Sequence, residues 1–164
     1  MVRQDQSADH ARIEKDWPIY VLSLDGETDR RAPLLSSLSE LGFSAEVLIG
    51  VDGRCGLPEW AEDKVERKRK NPTDRPLTDG ELACALSHVR AYQKVMEEDL
   101  PGAIIFEDDA RLDENFRPFM KAKGYSLGDM ILLGHGSCYT SWSSKCIAGT
   151  GVRLYRIAAI PVLS

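Results

Sequence analysis

The run Ile19-Tyr20-Val21-Leu22-Ser23-Leu24 constrains the fold more than any other stretch of the chain. It is almost continuously apolar, rich in strand formers, and closed by Asp25-Gly26. A strand without polar alternation must be covered on both faces, as a central strand is in a parallel sheet flanked by helices. Parallel strands need crossover connections, and the next residues supply one. Leu34, Leu35, Leu38 and Leu41 fall on one helical face, Pro33 suits the first turn, and Gly42 suits the C-terminal stop. Ala45-Glu46-Val47-Leu48-Ile49 then predicts a second strand that ends at Gly50-Val51-Asp52-Gly53. The opening is β-α-β.

Thr78-Asp79-Gly80-Glu81 has the form of a capping box: Thr78 accepts from the amide of Glu81, and Glu81 reaches back to the cap amide. Behind it Leu82, Ala85, Leu86, Val89, Tyr92, Val95 and Met96 keep helical spacing for about five turns. Pro101-Gly102 ends that connection, and Ala103-Ile104-Ile105-Phe106 predicts a short strand running into Glu107-Asp108-Asp109. Further on, a helix is expected from Asn115 to Ala122 and a strand over Met130-Ile131-Leu132-Leu133, closed by Gly134. A loop is expected from His135 to Gly151 and a last strand from Arg153 to Ala159. Residues 1–16 lack periodicity and predict a frayed leader, which leaves 17–164 as a single α/β domain, expected to be incomplete at its C-terminus.

Charge and composition remove several classes of function. With 21 Lys and Arg against 26 Asp and Glu, the chain lacks the basic excess of a nucleic-acid binder. Lys64, Arg67, Lys68, Arg69 and Lys70 sit among carboxylates between Pro58 and Pro76, which favours a solvated excursion over a patch for phosphates or anionic lipid. No apolar run reaches the roughly 18 residues of a membrane span, and the N-terminus lacks the apolar core of a signal peptide. The expectation is a cytoplasmic protein, with peripheral attachment to the inner membrane as the one membrane contact left open. Cys55, Cys84, Cys138 and Cys146 form no C-x-x-C pair. There is no Walker sequence, no G-x-G-x-x-G and no G-x-S-x-G elbow.

The chemistry concentrates at Glu107-Asp108-Asp109. Three adjacent carboxylates repel one another unless a cation is near. Strand alternation would turn Glu107 and Asp109 to the same side, where both could face one hard cation, Mn2+ or Mg2+. Open α/β sheets bind ligands beyond the carboxyl ends of their strands, which is where this triplet falls. His88 follows Cys84 by four residues on one helix face, but no further Cys or His pair completes a four-ligand zinc set in the sequence. His10 and His135 carry no local signal.

Taken in order, three blocks resemble glycosyltransferase family 25, which includes lipooligosaccharide galactosyltransferases and collagen-glycosylating relatives. They are the first strand through Asp29-Arg30-Arg31 with the following Val51-Asp52-Gly53, the run Leu77-Thr78-Asp79-Gly80-Glu81-Leu82-Ala83-Cys84-Ala85-Leu86-Ser87-His88, and the strand ending in Glu107-Asp108-Asp109. The likeness spans roughly Ile19 to Phe116. Ser23 stands where the family usually has Asn, and Ala83 where it usually has Gly. The resemblance implies a GT-A type, Rossmann-like domain with a mostly parallel sheet, and an inverting transfer from a nucleotide sugar to a glycan acceptor. Carried onto this sequence, Glu107 and Asp109 would hold the divalent cation. Leu24, Arg30, Asp52, His88 and Asp108 would bind the donor. UDP-galactose is the expected donor and a surface glycan such as lipooligosaccharide the expected acceptor; no residue can be nominated as the catalytic base.

Two other functions stay open on the sequence. A Mg2+-dependent phosphohydrolase would use an acidic strand end too, but needs a nucleophilic Asp with a Thr or Lys helper. A noncatalytic nucleotide-sugar-binding module would keep the donor half alone, the half to which the recognisable blocks belong. The apolar tract Ile157 to Leu163 would then favour self-association into a homo-oligomer.

Overall fold

The structure is a computed structural model that describes residues 17–62, 65, 75–133, 139–150 and 152–159. Its frame is a three-stranded parallel sheet of order β2-β1-β3, formed by β1 (Ile19–Ser23), β2 (Glu46–Ile49) and β3 (Ile104–Glu107). All five residues of β1 are buried, as the unbroken apolar run demands of the central strand. The edge strand β2 is exposed at both of its ends.

Two crossover helices cover opposite faces. The helix α1 (Thr28–Glu40) joins β1 to β2 and sets Leu34 and Leu38 against Ile19 and Val21 of β1 and Ile104 and Phe106 of β3. A short helix α2 (Glu59–Glu62) precedes the long helix α3 (Asp79–Glu97), which carries the chain back across β1 to β3. On that second face Tyr20 of β1 lies beneath the Lys94 ammonium of α3, 5.7 Å from the ring centre. A smaller core of Val51, Ala61, Ala83 and Leu86 ties α2 and α3 to the loop after β2.

The capping box at the head of α3 is present in both halves. Glu81 N donates to Thr78 Oγ1 at 3.2 Å, and Thr78 N donates to Glu81 Oε2 at 2.8 Å. Gly42 closes α1 with φ +85°, and Phe43 N reaches back to Leu38 O at 2.9 Å, the wrap that a left-handed glycine permits.

Several boundaries differ from expectation. Helix α1 starts at Thr28, five residues before Pro33, so the proline lies inside the helix. Its first turn is exposed and polar, and apolar periodicity cannot register such a turn. Residues 130–133 form no strand; Met130, Leu132 and Leu133 are exposed in irregular chain. A four-residue apolar run carries no period of its own to distinguish strand from loop. Within the span expected to be loop, Tyr139–Cys146 instead forms a strand, β4, paired antiparallel with β5 (Arg153–Ala159) in a separate two-stranded sheet. The pairing across the hairpin supplies what the Ser-rich sequence does not announce. Between the two sheets stand α4 (Phe116–Lys121), slightly shorter than predicted, and a 3-10 turn over Gly124–Leu127.

Outside the described residues lie the leader 1–16 with His10, the basic cluster Lys64 and Arg67–Lys70, and His135; the side chains of the apolar tract from Ile157 are likewise outside them.

Candidate functional site

The parallel sheet delivers β1, β2 and β3 to the same end, and the loops that follow them meet there. Residues Ser23 and Leu24 close β1, Arg30 stands in the first turn of α1, and Glu107-Asp108-Asp109 carry β3 into its turn. Asp108 is the buried member of the triplet, with its side chain 10% exposed. It accepts from Ser23 Oγ at 2.8 Å and from Arg30 Nε at 2.6 Å. Arg30 also donates through a second nitrogen to Asp109 at 2.7 Å. One guanidinium thus bridges two adjacent carboxylates, and its pKa is raised by the hydrogen bond to Asp108 and then by the charges of both aspartates. Arg31 donates to Ser23 Oγ and to Leu24 O, both at 3.2 Å, which fixes the start of the loop after β1.

Glu107 faces elsewhere. Its Oε1 lies 3.4 Å from His88 Nε2 and 3.7 Å from Cys84 Sγ, both on α3. Partial loss of solvation and the neighbouring Glu107 carboxylate push the Cys84 thiol pKa up, so the thiol is a donor to that carboxylate. The strand ends at Glu107, and the alternation expected to align Glu107 with Asp109 stops with it. Glu107 turns to α3 while Asp109 turns to Arg30, which also gives Asp109 a basic partner that local sequence does not reveal.

Asp52 belongs to a further network. Arg54 folds back on it with contacts of 2.7 to 3.0 Å and also reaches Glu27 at 3.1 Å, linking the loops after β2 and β1. Hydrogen bonds from Arg54 hold the Asp52 carboxyl below its usual range. The structure therefore joins Leu24, Arg30, Asp108 and Asp109 in one cluster, His88 and Glu107 in a second, and Asp52 with Arg54 and Glu27 in a third.

Two residues that the sequence left unassigned organise this end of the sheet. Ser23, buried in β1, orients Asp108. Ser87, buried on α3, accepts from Val51 N at 2.8 Å and donates to Ala83 O, anchoring the loop after β2. Its place in the A-x-x-x-S spacing of the helix was the available signal.

The donor chemistry suits a hard divalent cation: Glu107 and Asp109 offer carboxylate oxygens, and their side chains are 54% and 61% exposed. In the structure the two carboxylates have different partners, Glu107 on α3 and Asp109 at Arg30.

Residues 16–148 match the family model described as glycosyltransferase family 25 (LPS biosynthesis protein). This chain belongs to glycosyltransferase family 25. Among curated family 25 proteins, it is 37% identical to inactive glycosyltransferase 25 family member 3 of Mus musculus over 60% of this chain and 17% of that one. It is 30% identical to procollagen galactosyltransferase 2 of the same species, over 60% of this chain and 16% of the relative. A family 25 member from Anopheles gambiae is 29% identical over 77% of this chain and 22% of its own length. The matched region thus spans about a fifth of the length of these relatives. Family 25 membership agrees with the mixed α/β fold and its parallel, Rossmann-like sheet. Among the described residues no helix is long and apolar enough to cross a membrane.

Proposed function

We propose that this family 25 chain binds the nucleotide-sugar donor at the carboxyl end of its parallel sheet and serves the transfer of a sugar to a glycan acceptor. The observation that carries this reading is the Arg30–Asp108–Asp109 cluster beside Glu107, at the junction of β1 and β3. Asp108 is immobilised by Ser23 and Arg30 and is suited to hold a ribose or sugar hydroxyl. Glu107 and Asp109 are exposed carboxylates for Mn2+ or Mg2+. Such an ion offsets the negative charge that develops on the departing nucleoside diphosphate. Arg30, held on Asp108 through Nε, would present its remaining guanidinium donors to a diphosphate oxygen. Leu24, Asp52 and His88 border the same end and complete the proposed donor contacts.

UDP-galactose is the proposed donor, in line with the relatives named procollagen galactosyltransferase. The family description as an LPS biosynthesis protein favours a surface glycan such as lipooligosaccharide as acceptor, and a cytoplasmic or peripheral inner-membrane location for the reaction. A second reading is a noncatalytic donor-binding module, favoured by the relatives named inactive.

Calorimetric titration with UDP and UDP-galactose, in Mn2+ and in chelator, tests the first claim. Binding should require the cation, and Asp109→Ala should remove the cation-dependent part. Equal UDP affinity in chelator and in Mn2+ would refute it. Galactose transfer by a chain that binds the donor separates the enzyme from the noncatalytic module.

A further inference from the structure

The Cys84–His88–Glu107 cluster offers a thiol, an imidazole and a carboxylate to one point, with the three ligand atoms all within 4.8 Å of one another. The sequence offered only the i, i+4 pair on α3; the fold brings the third ligand in from the end of β3. Both elements are regular and well anchored, α3 by its capping box and Glu107 by its pairing opposite Leu22 of β1. Ligands presented from secondary structure hold their geometry better than ligands on loops.

Two of the three ligand separations match those of a tetrahedral metal centre. In a tetrahedral zinc site with bonds of about 2.3 Å to sulfur and about 2.0–2.2 Å to nitrogen and oxygen, the S···O edge is about 3.6 Å and the N···O edge about 3.4 Å. The corresponding separations here are 3.7 Å and 3.4 Å. The mixed donor set also decides which ion. A thiolate and an imidazole select Zn2+ over Mg2+ or Mn2+, which prefer oxygen. Cys84 and Glu107 are exposed and His88 is partly so, leaving a path for the ion and room on its outer side.

We propose that Cys84, His88 and Glu107 form a three-ligand Zn2+ site with its fourth position open to water or to an anionic oxygen. Three protein ligands and one exchangeable position are the arrangement of a zinc that acts on a bound molecule, whereas structural zinc is closed by four. The site goes beyond the donor-binding reading, in which Glu107 joins Asp109 around a hard cation. One carboxylate cannot lie in both arrangements at once, so Zn2+ on the α3 side withdraws Glu107 from Asp109.

The test omits nucleotide, so its result stands apart from that of the donor titration. The reduced wild-type chain is titrated with Zn2+ by calorimetry and with Co2+ by absorption spectroscopy. The expected result is one Zn2+ per chain, and with Co2+ a thiolate-to-metal charge-transfer band and tetrahedral visible bands that Zn2+ abolishes. Cys84→Ser should lose the charge-transfer band, and both Cys84→Ser and His88→Gln should weaken Zn2+ binding by at least about tenfold. Cys55→Ser, at an exposed cysteine outside the cluster, should leave band and affinity unchanged. Circular dichroism of each variant reports that the fold is retained, and should Cys84→Ser fail to fold, His88→Gln decides. Failure of the wild-type chain to bind Zn2+ stoichiometrically, a band that survives Cys84→Ser, or wild-type Zn2+ affinity in folded His88→Gln overturns the proposal.

Discussion

Replacing Gly53 by alanine should destabilise the protein through the helix that carries Cys84 and His88. A Cβ at Gly53 would lie 2.5 Å from the carbonyl oxygen of Asp79, 2.7 Å from its carbon and 2.9 Å from Ala83 Cβ. Each separation falls about 0.5–1 Å short of ordinary contact, and what it meets is the first turn of α3 and not a flexible side-chain end. Either the loop after β2 or the head of the helix must retreat, and overpacking of this kind costs about 1–3 kcal/mol. In a chain of 164 residues each kcal/mol moves the Tm by about 2–4 °C. Gly80, inside α3, gives the opposite expectation: a Cβ there meets only Thr78 Oγ1, at 4.0 Å. Gly80→Ala should therefore stabilise, by up to about 1 kcal/mol, because alanine loses less backbone freedom in a helix. Urea denaturation followed by circular dichroism, compared at equal m, reads both changes. A Gly53→Ala variant as stable as wild type, or a Gly80→Ala variant destabilised equally, would refute the close-approach argument.

Loss of the cap hydroxyl in Thr78→Ala should cost about 1 kcal/mol in the same denaturation assay while leaving UDP affinity unchanged; a large affinity loss without destabilisation would place Thr78 on the ligand. The Glu81 carboxyl is held down to about 2, against an ordinary 4.5, by hydrogen bonds from Arg75 and then from Thr78. A depressed folded value means that its stabilisation is complete above 4.5 and lost as pH falls toward about 2. Glu81→Gln should flatten the acid side of the stability profile in that window, and an unchanged profile would count against the linkage. Ser23→Ala removes a buried hydroxyl that donates to Asp108 at 2.8 Å; a hydrogen bond to a charged group contributes about 1.5–3 kcal/mol. A loss below about 0.5 kcal/mol in chemical denaturation would show that Arg30 alone orients Asp108.

What the sequence made legible follows from where each signal resides. β1 was readable because burial on both faces removes polar alternation, and α3 because Thr78 and Glu81 bond within one turn. The start of α1 was not, since Thr28, Asp29 and Arg30 bury nothing; Arg30 instead acts across 78 residues, on Asp108. β4 was hidden because its partner β5 defines it more than its own serines do. The acidic strand end was placed correctly by the apolar run before it, yet the partners of its three carboxylates come from β1, α1 and α3. Tertiary contact decides those pairings, and no local period encodes them.

The run Thr78 to His88 resolves into faces of a single helix. Thr78 and Glu81 fasten its start. Ala83 and Ser87, four apart and buried, lie against the loop after β2: Ala83 next to Gly53, and Ser87 as acceptor for Val51 N. Cys84 and His88 are the same pair shifted by one residue, which rotates them by about 100° to the end of β3 and Glu107. One helix thereby fixes the ends of two strands relative to each other, with its buried pair serving the scaffold and the adjacent pair facing the site. A substitution at Ser87 should then disturb the Cys84–Glu107 spacing without touching either residue, whereas a substitution at Cys84 leaves the loop after β2 in place. The motif is dense because both tasks fall within two turns of α3.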